Sequence, residues 1–235
     1  MCGIVVSIGF TGSSSSIHEK LAPWISSRGP DSLKTVKFNL ASTHAGSPEL
    51  TFTSSVLHLR GAEVAVQPLV STTGDILCWN GEVWKGLEIG ENENDGLKLL
   101  DALSSISERK KVWQIMEKVE GPWAMAYFST RENKLYFGRD CLGRRSLLRG
   151  VGEDGAFLLS SVGVGSYGWE EVSVDGLWCI DLDEWSEECG IDMKCPAKLY
   201  PWITDCDDPT SVKTNDYMVW FFMILLTICF GLIRP

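Results

Sequence analysis

The chain opens Met1-Cys2-Gly3-Ile4-Val5-Val6-Ser7-Ile8-Gly9-Phe10. Ile4–Gly9 is apolar and rich in β-branched residues, so it reads as a buried strand that begins almost at the terminus. Cys2 stands immediately before that strand. Initiator methionine is removed most readily when the next side chain is small, which makes Cys2 the expected first residue of the mature chain. Its α-amine, with a reference pKa of about 8, then lies within bonding reach of its own thiol. Such an amine can serve as the base for the nucleophile, so no histidine is required. That suits a sequence with only three His. Position alone does not separate this reading from an ordinary second-position cysteine; the rest of the sequence does.

Across its 235 residues the chain is 44% hydrophobic and 22% charged, which excludes wholesale disorder and collagen-like structure. Ten Trp and nine Phe supply large apolar groups for a core. Lys and Arg number 21 against 31 Asp and Glu, a net charge of −10. Nucleic-acid affinity comes largely from cationic side chains on phosphates, so this balance speaks against a nucleic-acid partner. The eight cysteines, at 2, 78, 141, 179, 189, 195, 206 and 229, contain no Cys-x-x-Cys pair. With so few His, a zinc site is not expected. No secretory signal is read at the start, so the expected compartment is the reducing cytosol, with most thiols buried as small apolar groups.

Working outward from the first strand, Ile17, Leu21, Trp24 and Ile25 have helical spacing. Arg28-Gly29-Pro30-Asp31 then makes a turn. Thr35–Leu40, Ser55–Leu59 and Asp75–Trp79 read as strands, the last ended by Asn80-Gly81, a pair that favours turns. Helices are expected from the acidic Glu91–Asp95 stretch onward, on the face Leu97, Leu99, Leu100 and Leu103, and over Glu108–Val119. Strands return at Trp123–Ser129, Leu135–Arg139, Ser146–Leu148, Ala156–Ser161 and Gly176–Asp181. Strands, two helices, then strands again predict an α+β layered domain.

Five motifs in order carry a family resemblance: Met1-Cys2-Gly3-Ile4, Arg28-Gly29-Pro30-Asp31, Arg60, Asn80-Gly81-Glu82 and Asp95. They resemble the class II glutamine amidotransferases, which are N-terminal-nucleophile hydrolases, and in particular the asparagine synthetase branch. Gly121-Pro122-Trp123 and the run Phe137 to Leu148 (FGRDCLGRRSLL) are similar to the asparagine synthetase domain-containing protein group. The resemblance covers Cys2 to about Trp202 and implies a four-layer αββα sandwich over 2–202. It also implies roles. Cys2 attacks the glutamine side-chain amide. The Asn80 side chain and the Gly81 backbone N–H form an oxyanion hole. Arg60 grips the α-carboxylate, for which a guanidinium is suited. Glu82 and Asp95 hold the α-ammonium; for Asp95 a helix cap is the alternative role. Arg28–Asp31 and Arg139–Arg145 read as mainly structural.

There are departures. Ser27 stands where the asparagine synthetase pattern commonly has His, and Gly61-Ala62-Glu63 follows Arg60 in place of Leu-Ser-Ile. Nothing resembles the ATP-binding Ser-Gly-Gly-x-Asp-Ser loop of a synthetase half, so no cofactor is expected in this chain; ATP and magnesium belong to the synthetase domain of relatives. The expected activity is hydrolysis of glutamine to glutamate and ammonia through a γ-glutamyl thioester, with no asparagine formed by this chain alone. A synthetase-domain partner is the expected recipient of the ammonia. The other readings are a catalytically silent binding or regulatory module, and a truncated splice product that keeps the fold. After Trp202 comes a polar linker, 203–216, and then Tyr217–Ile233, seventeen residues without charge. This apolar tail is short of the ~20 residues that span a bilayer yet within the observed range. It reads as an aberrant extension or as a C-terminal membrane anchor holding the domain in the cytosol.

Overall fold

In the computed structural model the described residues are 1–10, 14–39, 48–59, 61, 63–106, 111–152, 155–185 and 197–202. The opening apolar run forms β1 (Gly3–Phe10), paired antiparallel on both sides. Helix α1 (Ser14–Ser26) follows, then β2 (Ser32–Asn39) and β3 (Pro48–Val56), β4 (Leu69–Val70) and β5 (Ile76–Gly81). Helices α2 (Asp95–Ser104) and α3 (Val112–Met116) come next. The chain then returns to strands: β6 (Trp123–Ser129), β7 (Lys134–Arg139), β8 (Leu148–Val151), β9 (Phe157–Ser160), β10 (Glu170–Glu171), β11 (Gly176–Asp181) and β12 (Ala197–Pro201). Among the described residues these make two six-stranded sheets, ordered β10-β8-β9-β1-β3-β2 and β12-β11-β7-β6-β5-β4. All of this belongs to one compact unit, Met1–Trp202.

The period of two along each strand explains the layering. Ile4, Val6 and Ile8 of β1 face Ile76 and Cys78 of β5 and Ala124, Ala126 and Phe128 of β6, forming the core between the sheets. The opposite face of β6, Trp123, Met125 and Tyr127, packs on Leu99, Leu100 and Leu103 of α2 and Val112 and Met116 of α3. The opposite face of β1 buries Val5 against Leu21 and Ile25 of α1. The result is helix, sheet, sheet, helix: the αββα arrangement that the sequence led us to expect. β6 is buried on both faces, which is why it reads as an unbroken apolar run. Each large side chain fully buried here contributes on the order of 1.5–3 kcal/mol.

The structure corrects several boundaries. Asn80-Gly81 is not a turn: both residues belong to β5, opposite Ala124 and Trp123. Gly81 continues the strand in pairing with Trp123, and only glycine fits there, because a Cβ would lie 2.6 Å from the Trp123 Cβ and 2.7 Å from the Pro122 carbonyl oxygen. The third strand runs Pro48–Val56 and does not reach Leu59, and β8 begins at Leu148 where Ser146 was expected. Helix α3 is confined to Val112–Met116. Asn94, not Asp95, caps α2; its side-chain oxygen accepts from the Leu97 N–H at 3.1 Å. The short strands β4, β10 and β12 carry too little pattern to be read. Arg60, Ala62, the linker 203–216 and the Tyr217–Ile233 tail lie outside the described residues. No helix among the described residues is long and apolar enough to cross a membrane.

Candidate active site

The start of β1 is fixed by buried serines. The Gly3 N–H donates to Ser55 Oγ at 3.0 Å, and Ser55 Oγ donates onward to the Ile25 carbonyl at 2.6 Å. Ser54 Oγ donates to the Gly3 carbonyl at 2.8 Å, and the Ile4 N–H donates to Ser161 Oγ at 2.6 Å. Cys2 is therefore held by a backbone with little freedom. Its thiol faces the Leu57 carbonyl at 4.0 Å, and its own carbonyl accepts from Arg28 Nε at 3.4 Å.

Cys2 lines a pocket of about 70 Å³ together with Asn80, Gly81, Glu82, Asp95 and Arg145. Met1 forms part of the same lining. Of the residues singled out in the sequence, the structure brings together Cys2, Asn80, Gly81, Glu82 and Asp95; Arg60 lies outside the described residues. Asn80 is the penultimate residue of the buried strand β5 and is itself buried, yet its Nδ2 has no hydrogen-bond partner. A buried amide donor left unpaired costs roughly 1–3 kcal/mol, so its survival at a pocket wall points to a ligand oxygen. Asp95 is buried: Oδ2 accepts from the Val83 N–H at 3.1 Å and Oδ1 from the Gly96 N–H at 2.9 Å. Those bonds join the start of α2 to the segment after β5. Glu82 is half-exposed and pairs with Arg145, whose Nη2 lies 3.4 Å from Glu82 Oε1.

The loop after β5 is braced from behind. The Glu82 N–H donates to the Pro122 carbonyl at 3.0 Å and the Trp84 N–H to the Glu120 carbonyl at 2.8 Å. Gly121 has φ +140°, and a Cβ there would lie 2.0 Å from the Glu82 carbonyl oxygen, so this close crossing requires glycine. The run Arg139–Arg145, read from sequence as structural, divides. Arg139, Asp140 and Arg144 are indeed framework. Asp140 accepts from the Trp123 and Arg144 N–H groups, and Arg144 Nη2 donates to the Gly121 carbonyl at 2.7 Å. Arg145 instead faces the pocket, a placement the sequence did not disclose. Gln67 and His58 also line it unannounced; Gln67 Oε1 accepts from the Trp79 N–H at 2.7 Å, beyond the reach of the short β4.

Burial pushes the Cys2 thiol above its usual range, and Asp95 adds to that; the N-terminal ammonium and Arg145 act against it. Burial, then Arg28 and Arg145, push the Met1 amine below its ordinary value. No group of three or more His, Cys, Asp or Glu suited to a metal ion occurs among the described residues.

Comparison with known proteins assigns the family. The glutamine amidotransferase domain family matches residues 1–164. Asparagine synthetase domain-containing protein 1 of Bos taurus is 37% identical over 209 residues, 86% of this chain and 31% of that protein. Its counterpart in Homo sapiens is 35% identical over 209 residues, again 86% of this chain and 31% of that protein. The chain thus spans about a third of the length of the curated relatives it matches. Among solved structures, the glutamine phosphoribosylpyrophosphate amidotransferase of B. subtilis superposes with a TM-score of 0.56 at 16% identity, covering 86% of this chain and 49% of that one. That likeness bears on the fold alone, and it is the N-terminal-nucleophile amidotransferase fold. On the matched residues and the relatives together, the chain belongs to the glutamine amidotransferase domain family.

Proposed function

We propose that the domain hydrolyses glutamine to glutamate and ammonia, with Cys2 as nucleophile once Met1 has been removed. The observation that carries this reading is the unpaired, buried Asn80 Nδ2 on the wall of the pocket that Cys2 lines. Removal of Met1 frees the Cys2 amine and enlarges the pocket that Met1 helps to line. The amine takes the thiol proton, and the sulfur attacks the γ-carbonyl carbon of glutamine. The oxygen of the tetrahedral intermediate accepts from Asn80 Nδ2 and the Gly81 N–H, donors aimed at charge that develops only in the transition state. The C–N bond breaks, the amide nitrogen leaves as ammonia with the transferred proton, and a γ-glutamyl thioester remains. Water then attacks the thioester, releasing glutamate and restoring the thiol. Asp95 and Glu82 suit the α-ammonium, and Arg60 the α-carboxylate.

The names of the relatives point to asparagine synthesis as the use of the ammonia, with an ATP-activated acceptor such as aspartate supplied by a synthetase partner. For this domain we expect glutamate and ammonia release only. Purified protein of verified N-terminal mass is assayed with glutamine beside Cys2→Ala. Wild-type turnover that disappears in Cys2→Ala supports the reading. Equal background rates in the two, with Met1 removed, overturn it in favour of a silent binding or regulatory module. Aspartate, ATP and magnesium added to the same assay should yield no asparagine.

A further inference from the structure

The turn after β7 delivers a cation to the site for which the hydrolysis has no role. Arg145 is mostly buried and its Nε has no hydrogen-bond partner, an uncommon state for a guanidinium. Its backbone is locked, because the Arg145 carbonyl accepts from Arg139 Nε at 2.8 Å and Arg139 Nη2 donates to the Gly143 carbonyl at 2.6 Å. Its side chain is tethered by Glu82 at 3.4 Å. Arg28, on the turn after α1, reaches the Cys2 carbonyl through Nε and the Met1 sulfur through Nη2, at 3.4 and 3.9 Å. The two arginines are close enough to act on each other and on Cys2.

We propose that Arg145 is a positioning residue: tethered by Glu82 and facing Arg28, it holds a fixed positive charge against the N-terminal nucleophile. The inference rests on the proposed role of Cys2. Charge of this sign disfavours an ammonium and favours a thiolate, the two states that an N-terminal cysteine needs in order to act as base and nucleophile. Among the described residues the charged and titratable groups around the terminus are Arg28, His58, Cys78, Glu82, Asp95 and Arg145; Asp95 opposes the arginines at Cys2, and Glu82, paired with Arg145, sets how much of its charge is felt. Burial pushes the Cys2 thiol up, and the Arg145 charge acts against it.

The test does not depend on turnover. Protein freed of Met1 is alkylated with iodoacetamide across a pH series, and modification of Cys2 is followed by mass spectrometry of the N-terminal peptide. Cys141, exposed and outside the pocket lining, reports the reagent, and protection of the buried Cys78 and Cys179 reports the fold. Arg145→Gln should move the Cys2 profile upward by about one pH unit, seen as alkylation about tenfold slower at fixed neutral pH, with Cys141 unchanged. Arg145→Lys should restore most of the wild-type profile. Glu82→Gln, at a half-exposed position, removes the opposing charge but keeps an oxygen that accepts from Arg145, so it should move the profile in the opposite direction and keeps the test decisive if Arg145→Gln does not fold. Superimposed profiles for wild type and Arg145→Gln, or a Glu82→Gln profile that stays in place or rises, would overturn the proposal. A wild type that alkylates as described yet hydrolyses no glutamine would refute the proposed function and leave the charge assignment standing.

Discussion

Asn80 is the side chain on which the proposed chemistry turns. Its Nδ2 makes no bond in the free protein, so removing it should cost folding nothing and catalysis much. Asn80→Ala should keep the melting temperature within a few degrees while kcat falls by about 10²–10³-fold, the usual loss for one oxyanion donor. KM should hardly change, because the donor meets its full charge only in the transition state. A drop in KM-linked affinity with kcat preserved would take Asn80 out of the oxyanion hole. Cys2, Asn80-Gly81 and Asp95 were legible through the family resemblance and not by position, which reads equally as an ordinary second-position cysteine, a turn and a helix cap. Arg145 and Gln67 were not, since an arginine in a basic turn and a glutamine before a proline look the same whether they face solvent or a pocket. The serines at 54, 55 and 161 were equally silent: polar residues, buried to 2% exposure or less, whose hydroxyls hold the start of β1 by its backbone.

At the scale of elements, the long buried strands could be read and the joins could not. Trp123–Ser129 is found with the bounds expected for it, because burial on both faces leaves an apolar run with sharp ends. Asn80-Gly81 misleads because its turn preference is local, whereas the close approach of Trp123 and Pro122 that selects glycine at 81 is tertiary. The packing of α1 on its sheet hides another feature that no local pattern announces. His18 lies buried between Ser7 Oγ, 2.9 Å from Nε2, and Thr53 Oγ1, 2.7 Å from Nδ1. Burial and then Lys37 push its imidazole down to about 4, with Glu49 acting against them. The unfolded chain binds this proton at about 6.5. Folding therefore favours the neutral ring, and the stability it contributes is complete above about pH 6.5 and is lost as pH falls toward 4. The loss amounts to about 3 kcal/mol at most. His18→Gln, which keeps polar atoms at the same place, should flatten the urea midpoint over that pH window. Parallel midpoint curves for the two proteins would show that α1 docking is not linked to this proton.

The molecule as a whole closes its sandwich before the chain ends. The core between the sheets draws on strands from β1 to β11, and the last described residue is tied rather than loose: the Trp202 N–H donates to the Asp175 carbonyl at 3.0 Å and Nε1 to the Val174 carbonyl at 2.8 Å. Its ring meets Trp123 edge-on at 5.9 Å, directly behind the strand that carries Gly81's partner. Every described group of the site lies within the Met1–Trp202 unit, so that unit should suffice for both fold and chemistry. A chain ended after Trp202 should melt cooperatively within a few degrees of the full chain and retain its glutamine kcat/KM within about twofold, a difference of about 0.4 kcal/mol in transition-state binding. Cutting instead after Asp181 removes β12 and the Trp202 anchor, and should expose Trp113 and Trp123 and lower the melting temperature. The uncharged stretch 217–233 enters only at this scale: seventeen residues would span ~25 Å if helical, against ~30 Å of hydrocarbon. If it anchors the domain, the full chain should stay with membranes through carbonate extraction while the chain ended at Trp202 is released, both with equal glutaminase activity. Release of both forms alike would exclude the anchor, and loss of activity on cutting at Trp202 would mean that residues beyond the sandwich complete the site.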